Sequence, residues 1–223
     1  MKIDNYVVKK EKQVYLIIVP NLGDRNYYDQ QSLNAIYFAQ YLKKEGCKVY
    51  FLTNTAKRSS HNVQNIPTFY IKGGVSSFIL KRDEIYNIIK KINPIIVDIH
   101  LSPFVIPFIL KKIGCSNILI HINTHKLFIK DFKNGKIREY FEAINLFNWY
   151  GFYNLIRLLF PNFIIKYCLN QKKIKKIIIS SNRLKLWLIS VGVNKNKIKV
   201  MIEKICGRKE LPILKYWVSN EVM

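Results

Sequence analysis

Cysteine is scarce in this chain, and its spacing excludes more than its number. The four cysteines, Cys47, Cys115, Cys168 and Cys206, stand far apart with no C-x-x-C pair. That pattern argues against a zinc site and against a disulfide framework, and it fits a reducing interior; no metal is expected. Glycine (9) and proline (7) are too few for a collagen-like or low-complexity chain. Acidic residues are the other shortage, with 14 against 37 lysines and arginines, a net charge of +23. A field of that sign steers a protein towards a polyanion: nucleic acid, an anionic membrane surface or a phosphorylated substrate. A long apolar start is also missing, because Lys9, Lys10, Glu11 and Lys12 interrupt the N-terminal region. No secretory leader is therefore expected, and the chain is expected in the cytoplasm, with room for a peripheral place on the inner face of a membrane.

Several catalytic signatures are absent too. There is no G-x-G-x-x-G dinucleotide fingerprint, no Walker loop and no G-x-S-x-G elbow. What remains is apolar bulk, 49% hydrophobic and 13% aromatic over 223 residues, enough for a substantial core. Its short apolar runs alternate with amphipathic stretches, the pattern of β-α-β units that build a parallel sheet between helices. Strands are expected at Val14 to Pro20, Lys48 to Thr53, Thr68 to Ile71, Ile95 to His100, Asn117 to Asn123, Lys175 to Ser180 and Lys197 to Ile202. Between them, helices are expected at about Asp29 to Glu45 (with Leu33, Ile36, Tyr37, Tyr41 and Leu42 at helical spacing), Asp83 to Ile92, Pro103 to Ile113 and Asn182 to Val191. Gly46, Asn93-Pro94, Gly114 and Gly192 mark their ends.

Candidate site residues gather where this pattern puts the carboxyl ends of strands, the place where open α/β sheets bind ligands. His100 and His125 stand there, and Gly23 with Asp24 lies in the loop after the first strand, where backbone N–H groups can meet a phosphate. Asp98 either serves as a base or sugar-hydroxyl contact, or caps a loop as a strand-end aspartate. His121, inside its strand, reads as a packed core or face residue, and His61 carries no signal. The stretch from Tyr140 to Leu169 is rich in aromatics such as Trp149 and Phe152, interrupted by Asn148, Asn154, Arg157, Pro161 and Lys166. A membrane span needs about 20 apolar residues without such breaks. With Lys172, Lys173, Lys175 and Lys176 close by, this stretch suits a helix lying on an anionic membrane, or equally a buried helix apolar all round.

Four stretches together resemble the retaining glycosyltransferases of the GT-B fold, family four. Val14 to Thr53 is similar to that family's opening strand, glycine-bearing loop and helix. Asn93 to His100 (NPIIVDIH) resembles its "P-D-I-V-H-x-H" strand, and Ile118 to Leu127 (ILIHINTHKL) its "V-x-T-x-H-G" strand, with His125 on the family's histidine. Lys176 to Met201 is the nearest in pattern, matching "I-I-x-V-S-x-x-L-K-x-x-L-x-x-x-G-V-x-x-x-K-I-x-V-I". The resemblance implies a Rossmann-like, acceptor-side domain over residues 1–202, with 203–223 as a tail or linker. It implies that His125 contacts the transferred sugar, that Gly23 and Asp24 approach the donor phosphates, and that His100 and Asp98 belong to the donor phosphate and sugar subsite. Trp149, Phe152, Lys172 and Lys173 are the expected membrane or acceptor contacts.

This sequence departs from the family in its first loop, where Gly23-Asp24 replaces a double glycine, and at Asp98, which replaces a histidine. Residues after Ile202 are too few for the family's donor-binding C-terminal domain. The function expected is sugar transfer from a nucleotide sugar, as substrate rather than cofactor, to a lipid-linked or glycan acceptor, with a donor domain on a second subunit. The competing reading is a non-enzymatic basic module that binds nucleic acid.

Overall fold

The computed structural model describes residues 13–22, 30–55, 62–74, 77–101, 103, 105–110, 113–114, 117–122, 161–179 and 181–200. Seven strands form one all-parallel sheet: β1 (Val14–Ile18), β2 (Lys48–Thr55), β3 (Thr68–Lys72), β4 (Ile96–Ile99), β5 (Ile118–Ile122), β6 (Ile174–Ile179) and β7 (Ile198–Val200), in the order β3-β2-β1-β4-β5-β6-β7. All seven expected strands are present. Their runs of β-branched residues suit strands buried on both faces, as a parallel sheet between helices requires. The fold is Rossmann-like α/β.

Six helices pack on the sheet among the described residues: α1 (Gln30–Lys44), α2 (Ser77–Leu80), α3 (Arg82–Ile92), α4 (Ile106–Leu110), α5 (Asn162–Leu169) and α6 (Asn182–Ser190). One face of the sheet, with Leu16, Ile18, Val97, Ile99, Ile120 and Ile177, packs on Phe78 of α2, Ile85 of α3, Ile109 of α4, Ile165 of α5 and Trp187 of α6. The other face, with Tyr15, Ile17, Phe51 and Ile96, packs on α1 through Ala35, Ile36, Phe38, Ala39 and Leu42. Here the expected register needs correction. Tyr37 is 56% exposed, because Ala35 and Ala39 take the inner face, where their small side chains let the helix sit close to the strands.

Helix ends follow their chemistry. Gly46 adopts φ 85 after α1, and the N–H of Cys47 turns back to the carbonyl of Leu42. Asn93 at φ 48 ends α3 ahead of Pro94. Ser181 caps α6 by accepting from the N–H of Leu184 at 3.2 Å. The described part of α4 starts at Ile106, not at Pro103, and Pro107 explains it: lacking an N–H, it belongs in a first helical turn. The four-residue α2 has no counterpart among the expected helices.

The strand order reverses at one place. The chain runs outward from β1 to β2 and β3, then crosses back to β4 on the other side of β1. At such a switch point the loops leaving the two strands diverge and open a crevice at their carboxyl ends. There the N–H of His100 donates to the carbonyl of Ile18 at 2.7 Å, tying the end of β4 to the end of β1.

Candidate functional site

Strand geometry assembles the site. Side chains two apart on a strand share a face, so Asp98 and His100 point to the same side of β4. Ile99 pairs with Ile120 on β5, and the next residues along, His100 and His121, stand side by side. Their rings stack with centroids 4.0 Å apart and an interplanar angle of 12°. Asp98 faces both. Its Oδ2 lies 3.0 Å from Nε2 of His100, and its Oδ1 lies 3.1 Å from Nε2 of His121.

The two contacts differ in kind. An ionised carboxylate only accepts, so the His100 contact is an N–H donation from Nε2 to Oδ2. The His121 contact is close enough for an ion pair, but its angles fall short of a hydrogen bond, and both Oδ1 and the His121 Nε2 are buried without a hydrogen-bond partner among the described residues. Asp98 is wholly buried, His100 is 2% exposed, and the His121 side chain, at 17%, is the accessible edge of the group. Burial pushes the carboxyl of Asp98 upward, but the charge of His121 and then of His100, with the hydrogen bond from His100, outweighs it and holds the group below the usual carboxylate range. The phenol of Tyr15 is pushed up, first by burial, then by the charges of Cys47 and Asp98.

This arrangement changes the reading of two residues. Asp98 lies inside β4 and caps no loop among the described residues; with no exposed surface, its influence on an organic ligand runs through the imidazoles it orients. His121 is a face residue, as expected, yet the face it shares is that of Asp98 and His100. The sequence held a signal for this: a D-x-H step at the end of one strand, with a histidine in the next strand of the same sheet. The missing piece was the register that aligns them.

A second polar group sits at the same edge of the sheet. Asn54 on β2 accepts from the N–H of Asn21 at 3.0 Å and donates to Asn21 Oδ1 at 3.0 Å and to the carbonyl of Gly73 at 3.1 Å. Thr53 Oγ1 accepts from the N–H of Leu22 at 3.0 Å. Together they fix the start of the loop after β1, with Asn21 held at φ 59. Gly23 and Asp24, expected at the donor phosphates, follow at once but lie outside the described residues, as do His125, Trp149 and Phe152.

The lysines expected at the membrane or acceptor separate. Lys173 turns inward and donates to the carbonyls of Leu110 and Ile113, closing the end of α4. Lys172 lines a shallow recess with Phe163, Lys166, Tyr167, Asn170 and Gln171. On α5, Ile165, Cys168 and Leu169 face the core, while Phe163 and Tyr167 are 71% and 74% exposed. This helix is therefore amphipathic, not apolar all round and buried. Among the described residues no helix is long and apolar enough to cross a membrane.

No family model and no curated protein matches the sequence. Among solved structures, a glycosyltransferase from Rickettsia africae ESF-5 is similar, with a TM-score of 0.51 and 16% identity over 95% of this chain and 50% of that one. UDP-GlcNAc 2-epimerase from Methanocaldococcus jannaschii follows at 0.48 and 12%, over 84% of this chain and 45% of that one. LpCGTa in complex with UDP stands at 0.47 and 8%, over 85% and 52%. This chain thus spans about half the length of each, and the first likeness speaks for the fold alone, a Rossmann-like α/β sheet.

Proposed function

We propose that this chain is a glycosyltransferase-like protein that supplies the acceptor-side half of a cleft in which a sugar passes from a nucleotide sugar to a glycan or lipid-linked acceptor. The carrying observation is the Asp98–His100–His121 group, a charged cluster buried at the carboxyl edge of the sheet beside the switch point. The resemblance of four sequence stretches to GT-B glycosyltransferases and the likeness of fold support the same reading.

The chemistry replaces a nucleoside diphosphate at an anomeric carbon, so negative charge grows on the departing phosphate. Fixed hydrogen-bond donors and positive groups in a water-poor cleft stabilise it. Asp98 orients both rings by facing their Nε2 atoms, and His121, the ring with exposed surface, donates from Nδ1 when it is an imidazolium. His125 contacts the transferred sugar, and the loop at Gly23 and Asp24 approaches the diphosphate. Lys172, with Phe163 and Tyr167 beside it, suits an acceptor held at an anionic membrane, and Trp149 and Phe152 are assigned to the same contact. A donor domain completes the cleft. A second reading rests on the net charge of +23: a basic Rossmann-like module that holds nucleic acid.

The test incubates the purified chain, alone and with subunits that co-purify from the native source, with a panel of nucleotide sugars and lipid or glycan acceptors. Transfer by the assembly and no multiple turnover by the chain alone is the expected result. Sustained turnover by a confirmed monomer overturns the half-cleft reading. No transfer in any assembly, with salt-sensitive binding of RNA or DNA instead, overturns the transferase reading in favour of the second.

A further inference from the structure

We infer that Asp98, His100 and His121 form a binding site for a divalent first-row transition cation of the zinc type. Their three ligand atoms lie within 4.8 Å of one another, on adjacent strands whose register is fixed by backbone pairing. With bonds of about 2.0–2.2 Å at a tetrahedral angle, donors around one ion stand about 3.3–3.6 Å apart. The nitrogen-to-oxygen separations here, 3.0 and 3.1 Å, are a few tenths of an ångström shorter, so a small opening of the three side chains admits the ion.

The unsatisfied atoms point the same way. His121 Nε2 and Asp98 Oδ1 are buried at 3.1 Å without hydrogen-bond geometry, so neither is directed at the other. A shared ion satisfies both at once, where a proton on the imidazole does not. Two imidazole nitrogens and one carboxylate are a donor set for zinc and its neighbours rather than for magnesium or calcium, which favour oxygen alone. Three protein donors also leave a coordination position open, as catalytic zinc sites do. On binding, Nε2 of His100 changes from donor to ligand: in the neutral ring the proton moves from Nε2 to Nδ1, and from an imidazolium one proton leaves to solvent while Nδ1 keeps its own. The expectation of no metal came from the cysteines, and this site uses none.

The test is cobalt binding by the full chain after treatment with a chelator, followed by visible absorbance and competed with zinc. One cobalt per chain is expected, displaced by zinc, with affinity falling roughly hundredfold in His121→Ala. Circular dichroism checks that the variant is folded; His61→Ala is the control that leaves binding unchanged. In the unaltered chain, paramagnetic cobalt should also broaden the imidazole ¹⁵N signals of His100 and His121, a readout that needs no variant to fold. Absence of saturable binding, equal affinity in folded His121→Ala, or broadening confined to other histidines overturns the site. The sugar-transfer reading is tested by turnover and this one by metal binding, so either can fail without the other.

Discussion

Two groups of polar side chains are buried at the carboxyl edge of one parallel sheet, and they use their hydrogen bonds differently. Around Asn54 and Thr53 the partners are backbone groups of Asn21, Leu22 and Gly73 and a side-chain amide, with distances from 3.0 to 3.1 Å. Those groups hold a loop in place. Around Asp98 the partners are two stacked imidazoles, one making a hydrogen bond and one not, and a buried charge is kept ionised between them. Desolvating an ion is unfavourable unless it is fully paired. The first group is explained by the loop it fixes; the second retains unmet capacity beside a switch point, the place where open α/β sheets in general bind ligands.

The largest effect expected from breaking this contrast is at Asp98. Asp98→Ala leaves two buried imidazoles without their counter-charge and should cost about 3–5 kcal/mol of stability, measured by urea unfolding. Asn54→Ala strips partners from the N–H of Asn21 and the carbonyl of Gly73, and a loss of about 1–3 kcal/mol is expected. If Asn54→Ala cost more than Asp98→Ala, the ranking of the two groups would be reversed. Thr53→Val keeps the shape but removes the acceptor for the N–H of Leu22 and a long donation, 3.4 Å, to the carbonyl of Asn54, and about 1 kcal/mol is expected.

His121→Ala sharpens the contrast from the other side. Because its charge is the larger of the two that keep the buried Asp98 ionised, its removal should cost about 1–3 kcal/mol, less than Asp98→Ala since the ring is partly exposed and not hydrogen-bonded, and ligand binding should fall. His125→Ala in the assembled enzyme should leave stability unchanged and slow transfer by roughly tenfold or more if the ring contacts the transition state. Full activity of that variant would remove His125 from the site.

The sheet was legible because its strands are short β-branched runs bounded by helix stops: Ile95 to His100 and Asn117 to Asn123 announce β4 and β5 without help from the rest of the chain. Helix α2 was not, since Ser77–Leu80 spans barely one turn and shows no period. The inner face of α1 was misjudged at Tyr37 because hydrophobicity alone does not favour alanine, whereas close packing does. Lys172 and Lys173 read alike, as membrane or acceptor contacts, until the fold shows Lys173 bonded to two carbonyls and Lys172 left at the surface. His100 and Asp98 were visible as candidates from their strand end. Their union with His121 depends on which strands are neighbours and in what register, and that is settled by tertiary pairing.

The most direct test of the site reads its imidazoles. The chain has four histidines, so their ¹⁵N signals can be resolved and assigned with single His→Gln variants. Adding nucleotide sugars at concentrations on the order of 1–10 mM, to reach weak binding by half a cleft, should move the His100 and His121 signals in a saturable way for one member of the panel and leave His61 still. If every nucleotide sugar leaves His100 and His121 unmoved while the assembled enzyme transfers sugar, the Asp98 cluster is a structural ion pair and the ligand binds elsewhere.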